Sequence, residues 1–173
     1  MSEEGLEQLW AGWRKEYVVS TTASERRGPG EECVFCRIAT SGPPGVGNLV
    51  VWRSDLSYAV LNAYPYASGH LLVMPIRHVG ELDVLTREES DDLWAGTRRA
   101  VSAISTAYDP DGINMGANLG RAAGAGIPAH LHMHVLPRWS GDTNFMTTVA
   151  GVRVMPESLA VGWERLHEAW PPG

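Results

Sequence analysis

The sequence predicts an α+β domain built on a largely antiparallel sheet of about five strands, with one long helix and helices near both ends. Two observations predict this. Strand-like runs come in two groups, three before a long helical stretch and two after it. They do not alternate one by one with helices, as the βαβ units of a parallel sheet would. The 173 residues, 44% apolar and 20% charged, are the size and make-up of a single globular domain. We expect one domain over 1–173, with a helix and loop in 1–32, a core in 33–140 and an extension and helix in 141–173.

Taken in order, Leu6, Leu9, Trp10, Trp13 and Tyr17 recur at spacings of three and four, which predicts an amphipathic packing helix over residues 4–18. A polar loop carrying Gly28-Pro29-Gly30 leads to Cys33, and Gly42-Pro43-Pro44-Gly45 is a second break. Strands are expected at 49–53, 58–62 and 70–74, the last two joined by the loop from Ala63 to Gly69. Thr86 with Glu89 forms a capping box that opens a helix through Leu93, Trp94, Val101, Ile104 and Tyr108, and Asp109-Pro110-Asp111-Gly112 stops it. Two more strands, 113–119 and 131–138, flank a segment rich in glycine and alanine from Gly120 to Gly126. After Pro156, a last helix places Leu159, Trp163, Leu166 and Trp170 on one face.

The formal charge of −6 provides no broad basic surface, which disfavours polymeric nucleic acid and points to a small-molecule substrate. The acidic start and the lack of a run of about 18 apolar residues argue against a signal peptide or a membrane span, so a cytoplasmic location is the default expectation. Two cysteines exclude a disulfide framework. Neither GxGxxG nor GxxxxGK occurs, so no dinucleotide or P-loop signature is present and no organic cofactor is expected.

Half of the six histidines stand in His130-Leu131-His132-Met133-His134. In an extended chain, period 2 puts all three imidazoles on one face and Leu131, Met133 and Val135 on the other. With an unperturbed pKa of about 6.5, imidazole is largely an uncharged nitrogen base at neutral pH. It can attack an electrophile or bind a metal without a helper base. The small residues before it, Asn118 through Pro128, allow backbone amides to approach an anion. Cys33-Val34-Phe35-Cys36 has the spacing of half a zinc site, for which His78 and His130 are candidate further ligands; a redox pair or two plain buried thiols are the alternatives.

The stretch His130-Leu131-His132-Met133-His134-Val135-Leu136 resembles the signature of the histidine triad (HIT) nucleotide hydrolases and transferases. Asn62 before Ser68-Gly69-His70-Leu71-Leu72-Val73-Met74-Pro75 is similar to that family's upstream strand pair, and Asn118 with the Gly-rich turn to its phosphate loop. Pro137-Arg138-Trp139 with Gly141-Asp142-Thr143-Asn144-Phe145 resembles the branch that acts on diadenosine polyphosphates, the fragile-histidine-triad-like enzymes. The resemblance implies a HIT-like fold and a homodimer. It implies cleavage of a dinucleoside polyphosphate at its α-phosphorus, by hydrolysis or phosphorolysis, through a nucleotidyl-histidine intermediate.

By the same resemblance, His132 is the nucleophile, facing an open pocket, and His134 stabilises the transition state and contacts phosphate. Asn62, Asn118, Ala125, Gly126, Ile127 and Pro128 would contact ribose and phosphate, and His70 would support the triad from behind. Cys33, Cys36, His78 and His130 match the four ligands of the family's zinc-bearing members, and such a closed Cys2His2 set is structural rather than catalytic. Gly126, Ile127 and Pro128 stand where relatives often carry polar side chains, which leaves leaving-group assistance to backbone amides or water. His167 is expected to face solvent. Two readings compete: a zinc-dependent hydrolase with His130, His132 and His134 all on the metal, and a nucleotide-binding regulatory module with little turnover.

Overall fold

The computed structural model describes residues 33–142 and 157–172; the helix expected at 4–18, Gly28-Pro29-Gly30, Thr143-Asn144-Phe145 and Pro156 lie outside them. A short helix α1 (Val34–Ala39) precedes strands β1 (Val50–Arg53), β2 (Ser57–Leu61) and β3 (Leu71–Pro75). Helix α2 (Arg87–Tyr108), strands β4 (Gly112–Ala117) and β5 (Met133–Arg138) and helix α3 (Leu159–Glu168) follow. The sheet runs β1-β2-β3-β5-β4 and every neighbouring pair is antiparallel, as the sequence predicted.

Alternation along the central strands supplies two separate cores. Ala59, Leu61, Leu71, Val73, Leu131 and Val135 pack under α2 and α3 with Leu93, Ala100, Ile104 and Leu166. Tyr58, Val60, Leu72 and Met74 face the other way, where Phe35 and Ala39 of α1 cover them. Tyr58 donates its hydroxyl to the Phe35 carbonyl at 2.7 Å, so α1 is held to the sheet by a buried hydrogen bond as well as by apolar area.

Helix α2 starts on the predicted capping box: the Glu89 amide donates to the Thr86 hydroxyl and the Glu89 carboxylate accepts from the Thr86 amide. The same carboxylate receives both Nε (2.6 Å) and a terminal nitrogen (2.7 Å) of Arg77, which ties the segment after β3 to the helix start. At the other end, α3 caps on Ser158 and packs the predicted face, Leu159, Trp163, Leu166 and Trp170, on the sheet. Trp163 donates its indole N–H to the Val50 carbonyl at 2.8 Å, and Trp170 stacks on Trp52. His167 is exposed as expected, yet its ring is not free in solvent: it stacks on Trp163 and its Nδ1 lies 3.1 Å from the Val51 carbonyl.

Two strand boundaries differ from expectation by two residues, and the others by at most one. β4 ends at Ala117 rather than residue 119, and β5 starts at Met133 rather than residue 131. The reason for the second is local: the Leu131 amide donates to the Val79 carbonyl at 2.6 Å and the His130 amide to Ile127 at 3.3 Å, so this stretch pairs with the segment after β3 and not with the ladder. Face alternation nevertheless continues through it, since Leu131 and Val135 share the helix-side core and Met133 packs against it.

The Arg77–Glu89 pair sets a pH signature. Hydrogen bonds from Arg77 lead the causes that pull the Glu89 carboxyl from its ordinary 4.5 to about 2. A depressed folded-state pKa gives stability that is present above the unfolded value and lost as pH falls through the folded one. We expect Glu89→Gln, which keeps an N3 cap but loses the charge, to cost about 1–2 kcal/mol at pH 7 in denaturant unfolding, and the deficit to shrink between pH 4.5 and 2.

Candidate active site and metal group

Because the histidine-bearing segment belongs to the face opposite α2 and α3, its imidazoles meet α1 and the segments around β3. Four donor atoms converge there, one each from Cys33, Cys36, His78 and His130, all within 4.8 Å of one another. His130 Nδ1 is 3.4 Å from Cys33 Sγ and 3.6 Å from Cys36 Sγ, and His78 Nδ1 is 3.3 Å from Cys36 Sγ. Tetrahedral ligand lengths of about 2.3 Å to sulfur and 2.0–2.1 Å to nitrogen imply a sulfur–nitrogen edge of about 3.6 Å, so the spacing fits a four-coordinate divalent ion. The chemistry of the donors fits too. His130 Nε2 lies 2.9 Å from the Pro75 carbonyl, which makes that nitrogen the N–H donor and leaves Nδ1 with its lone pair toward the sulfurs. Burial holds the His130 imidazole neutral, its pKa down to about 4. Without an ion, burial and the neighbouring Cys33 push the Cys36 thiol up to about 11.

A second group forms around His70, which is fully buried. Its Nδ1 receives the Tyr66 amide at 3.1 Å and lies 3.3 Å from Asn62 Nδ2. Both neighbours are donors, so Nδ1 carries the lone pair and Nε2 the hydrogen. That hydrogen points at His134 Nδ1, 2.9 Å away. His134 Nδ1 is therefore the acceptor, and its own hydrogen sits on Nε2. Asn62 turns inward, because its Oδ1 accepts the Tyr64 amide at 3.0 Å while Nδ2 faces His70. In this geometry it braces the β2–β3 loop.

His132 lies between the two groups, its ring centroid 5.0 Å from that of His134 and 5.1 Å from that of Phe35. Its Nδ1 is 2.8 Å from the His130 backbone carbonyl, so Nδ1 carries the hydrogen and Nε2 the lone pair. Burial lowers its pKa, which keeps the ring neutral. The open pocket expected at this residue is not what the structure shows: His132 is buried, 6% exposed, with Phe35 against its ring. Gly116 pairs with His134 across β4–β5, and a Cβ there would meet nothing within 4 Å, while the His134 Nε2 atom itself is buried. In the Gly-rich loop, a 3-10 turn at Arg121–Ala123 ties the Ala125 amide to the Gly120 carbonyl at 3.4 Å, and Ile127 packs against the Phe35 cluster.

The sequence reading missed Tyr66 and Phe35 as parts of this arrangement. Phe35, the residue before Cys36, touches both the His130 and the His132 rings. Tyr66 stands four residues before His70, and that spacing across a tight loop was the available signal.

The HIT domain family matches residues 46–141, more than half of the chain. The chain belongs to this family. The HIT chain is 43% identical over 167 residues to an AP-4-A phosphorylase of Mycobacterium tuberculosis, covering 95% of this chain and 85% of that one. It is also 36% identical over 93 residues to a bis(5'-adenosyl)-triphosphatase of Dictyostelium discoideum, covering 54% of this chain and 62% of that one. A crystal structure of a zinc-bound histidine triad family protein from Mycobacterium smegmatis superposes with a TM-score of 0.65 at 28% identity, over 80% of this chain and 93% of that one.

One close approach joins the metal group to the loop in this HIT chain. A Cβ at Gly80 would lie 2.5 Å from the Pro128 carbonyl oxygen, two residues from His78 on one side and two from His130 on the other. Backbone cannot yield as a flexible side chain does. Gly80→Ala is therefore expected to lower stability by about 1–3 kcal/mol in thermal or denaturant unfolding, although the added group is a single methyl.

Proposed function

We propose that this protein cleaves dinucleoside polyphosphates such as diadenosine tetraphosphate at an α-phosphorus, with His132 as the covalent nucleophile and inorganic phosphate as the preferred second acceptor. One observation carries the reaction type: adjacent imidazoles on one face present opposite tautomers, His132 with a bare Nε2 and His134 with an Nε2–H. One can attack phosphorus while the other holds the oxygen charge that attack creates. The substrate class is supported by the AP-4-A phosphorylase of Mycobacterium tuberculosis, alignable over 95% of this chain. So is the acceptor, since a relative named for hydrolysis aligns over only 54%.

The steps balance as follows. His132 Nε2 donates its lone pair to the α-phosphorus, and the bond from that phosphorus to the bridging oxygen breaks, the electron pair leaving with the nucleoside triphosphate. The ring then carries a nucleotidyl group and a positive charge, which the His130 carbonyl stabilises through the Nδ1–H it already accepts. His134 Nε2–H donates to an oxygen on phosphorus, an interaction of a few kcal/mol in such sites. An oxygen of inorganic phosphate next attacks, the N–P bond breaks and its electron pair returns to Nε2. Diadenosine tetraphosphate and phosphate thus give ATP and ADP; with water as acceptor the products are ATP and AMP. Asn118 and the amides of residues 125–128 are read as ribose and phosphate contacts, and Asn62 and His70 as braces for His134.

Cys33, Cys36, His78 and His130 are read as the ligands of a structural zinc, supported by the donor spacing and by the zinc-bound structure from Mycobacterium smegmatis. Zinc there would cross-link α1 to the segments flanking β3 and β5 and take no part in bond making. Three histidines on one catalytic metal is the weaker reading, because Nδ1 of His132 faces a carbonyl and Nδ1 of His134 faces another ring. We further read the chain as a single domain that pairs as a homodimer. The support is one sheet with a core on each face, and β4 at its edge with mostly exposed residues. Two cysteines that form no disulfide and belong to the donor group suit the reducing cytoplasm.

Incubation with diadenosine tetraphosphate is expected to yield ADP and ATP only when phosphate is present, and His132→Ala to abolish both products while the chain stays folded, with a lowered melting temperature because the ring is buried. Product formation by that variant would remove His132 from its role. Metal analysis is expected to find about one zinc per chain, and chelation to lower the melting temperature. Cys36→Ser should lose the metal, whereas His132→Ala should retain it.

A further inference from the structure

The pairing of His70 with His134 is built under a third ring that the mechanism does not use. Tyr66 lies at 4.7 Å, centroid to centroid, from His70, tilted by 42°, and at 5.9 Å from His134, nearly parallel at 14°. The two imidazoles are 5.1 Å apart, so the three rings form one cluster. Tyr66 also supplies the backbone amide that donates to His70 Nδ1. One residue therefore does two things to the pair: its N–H dictates which nitrogen of His70 holds the hydrogen, and its ring lies against both imidazoles. Tyr66 is 38% exposed and stands between the buried His70 and solvent.

Each contact has a separable consequence. A ring nitrogen pair in water exchanges hydrogens and flips between tautomers readily; packing and a dry hydrogen bond suppress this. The amide fixes His70, and His134 Nδ1 is tied to His70 in turn. A flat ring lying parallel to His134 restricts its χ2 rotation and keeps water from the Nε2–H to Nδ1 bond. On the β4 side no side chain shares that restraint, because the residue opposite His134 there is Gly116, with open space where a side chain would stand.

We propose that Tyr66 is a positioning residue for His134, its ring holding the His70–His134 pair in the single tautomeric arrangement that presents the His134 Nε2–H to substrate. This rests on the nucleotidyl-transfer reading above for its catalytic consequence, but not for its structural one. The aromatic face is the needed part and the hydroxyl is not, so phenylalanine should serve.

Two readouts on the full chain test it. Nitrogen-15 spectra of the histidine rings at neutral pH should show His134 with an unprotonated Nδ1 and a protonated Nε2 in the native protein and in Tyr66→Phe, and mixed tautomers in Tyr66→Ala. With diadenosine tetraphosphate and phosphate, Tyr66→Ala should lower kcat by about ten- to a hundredfold with KM within about twofold, while Tyr66→Phe stays near native. Tyr66→Leu, which keeps the bulk without the flat face, serves if the alanine variant unfolds and should resemble it. A single His134 tautomer retained in both Tyr66→Ala and Tyr66→Leu overturns the proposal. So does a loss confined to KM, which would make Tyr66 a substrate-stacking residue. A native protein without turnover, but with the tautomer pattern as stated, would sink the nucleotidyl-transfer reading and leave the ring's positioning role standing.

Discussion

Everything at the site depends on one short piece of extended chain having to satisfy two environments at once. From Leu131 to Val135, odd positions belong to the core under α2 and α3, and even positions face α1 and β3's opposite side. Slipping this segment by a single residue would drive imidazoles into an aliphatic core and expose Leu131 and Val135, a cost no hydrogen bond in the site could offset. Burial of three apolar side chains is thus what fixes the direction of three polar ones. The fold needs no catalytic interaction to aim its histidines.

Aim alone leaves the rings free to rotate and exchange hydrogens, and each is constrained by a different partner. His130 is held at both nitrogens, by the Pro75 carbonyl on one side and the two sulfurs on the other. His134 is held through His70 and Tyr66. His132, between them, borrows only the backbone carbonyl of His130. That carbonyl is placed by the residue whose side chain belongs to the metal group, so the order of that group and the tautomer of His132 are linked through two bonds of one backbone. This is why a group that makes no contact with phosphate belongs to the description of the site.

Much of this was legible in the sequence because it follows from period and spacing. Alternation gave the histidine face, the Thr86–Glu89 box gave the start of α2, and Cys33-x-x-Cys36 gave half a metal site, to which the family resemblance added His78 and His130, the four donors that the structure brings together. What escaped has no period. Leu131 turns its amide to Val79, which trims β5 to begin at Met133, and nothing in the apolar pattern distinguishes a ladder partner from a neighbouring segment. Tyr66 reads as loop because a single aromatic in a turn carries no signature. His167 looked solvent-facing because side-chain bonds to a strand carbonyl depend on how α3 docks and not on helical phase.

The enclosure of His132 was also unreadable, since it depends on neighbours such as Phe35 and not on the strand's own alternation. It bears on the choice of acceptor. A ring at 6% exposure meets bulk water poorly, and an attacking water must be brought in by the site. A phosphate ion, once bound among backbone amides and a donor such as His134 Nε2–H, is already in place and charged for attack. An enclosed nucleotidyl-histidine would therefore be guarded against the abundant, weak nucleophile and open to the scarce, held one. If His132 is the nucleophile as proposed, its burial would favour transfer to a bound phosphate over loss to water.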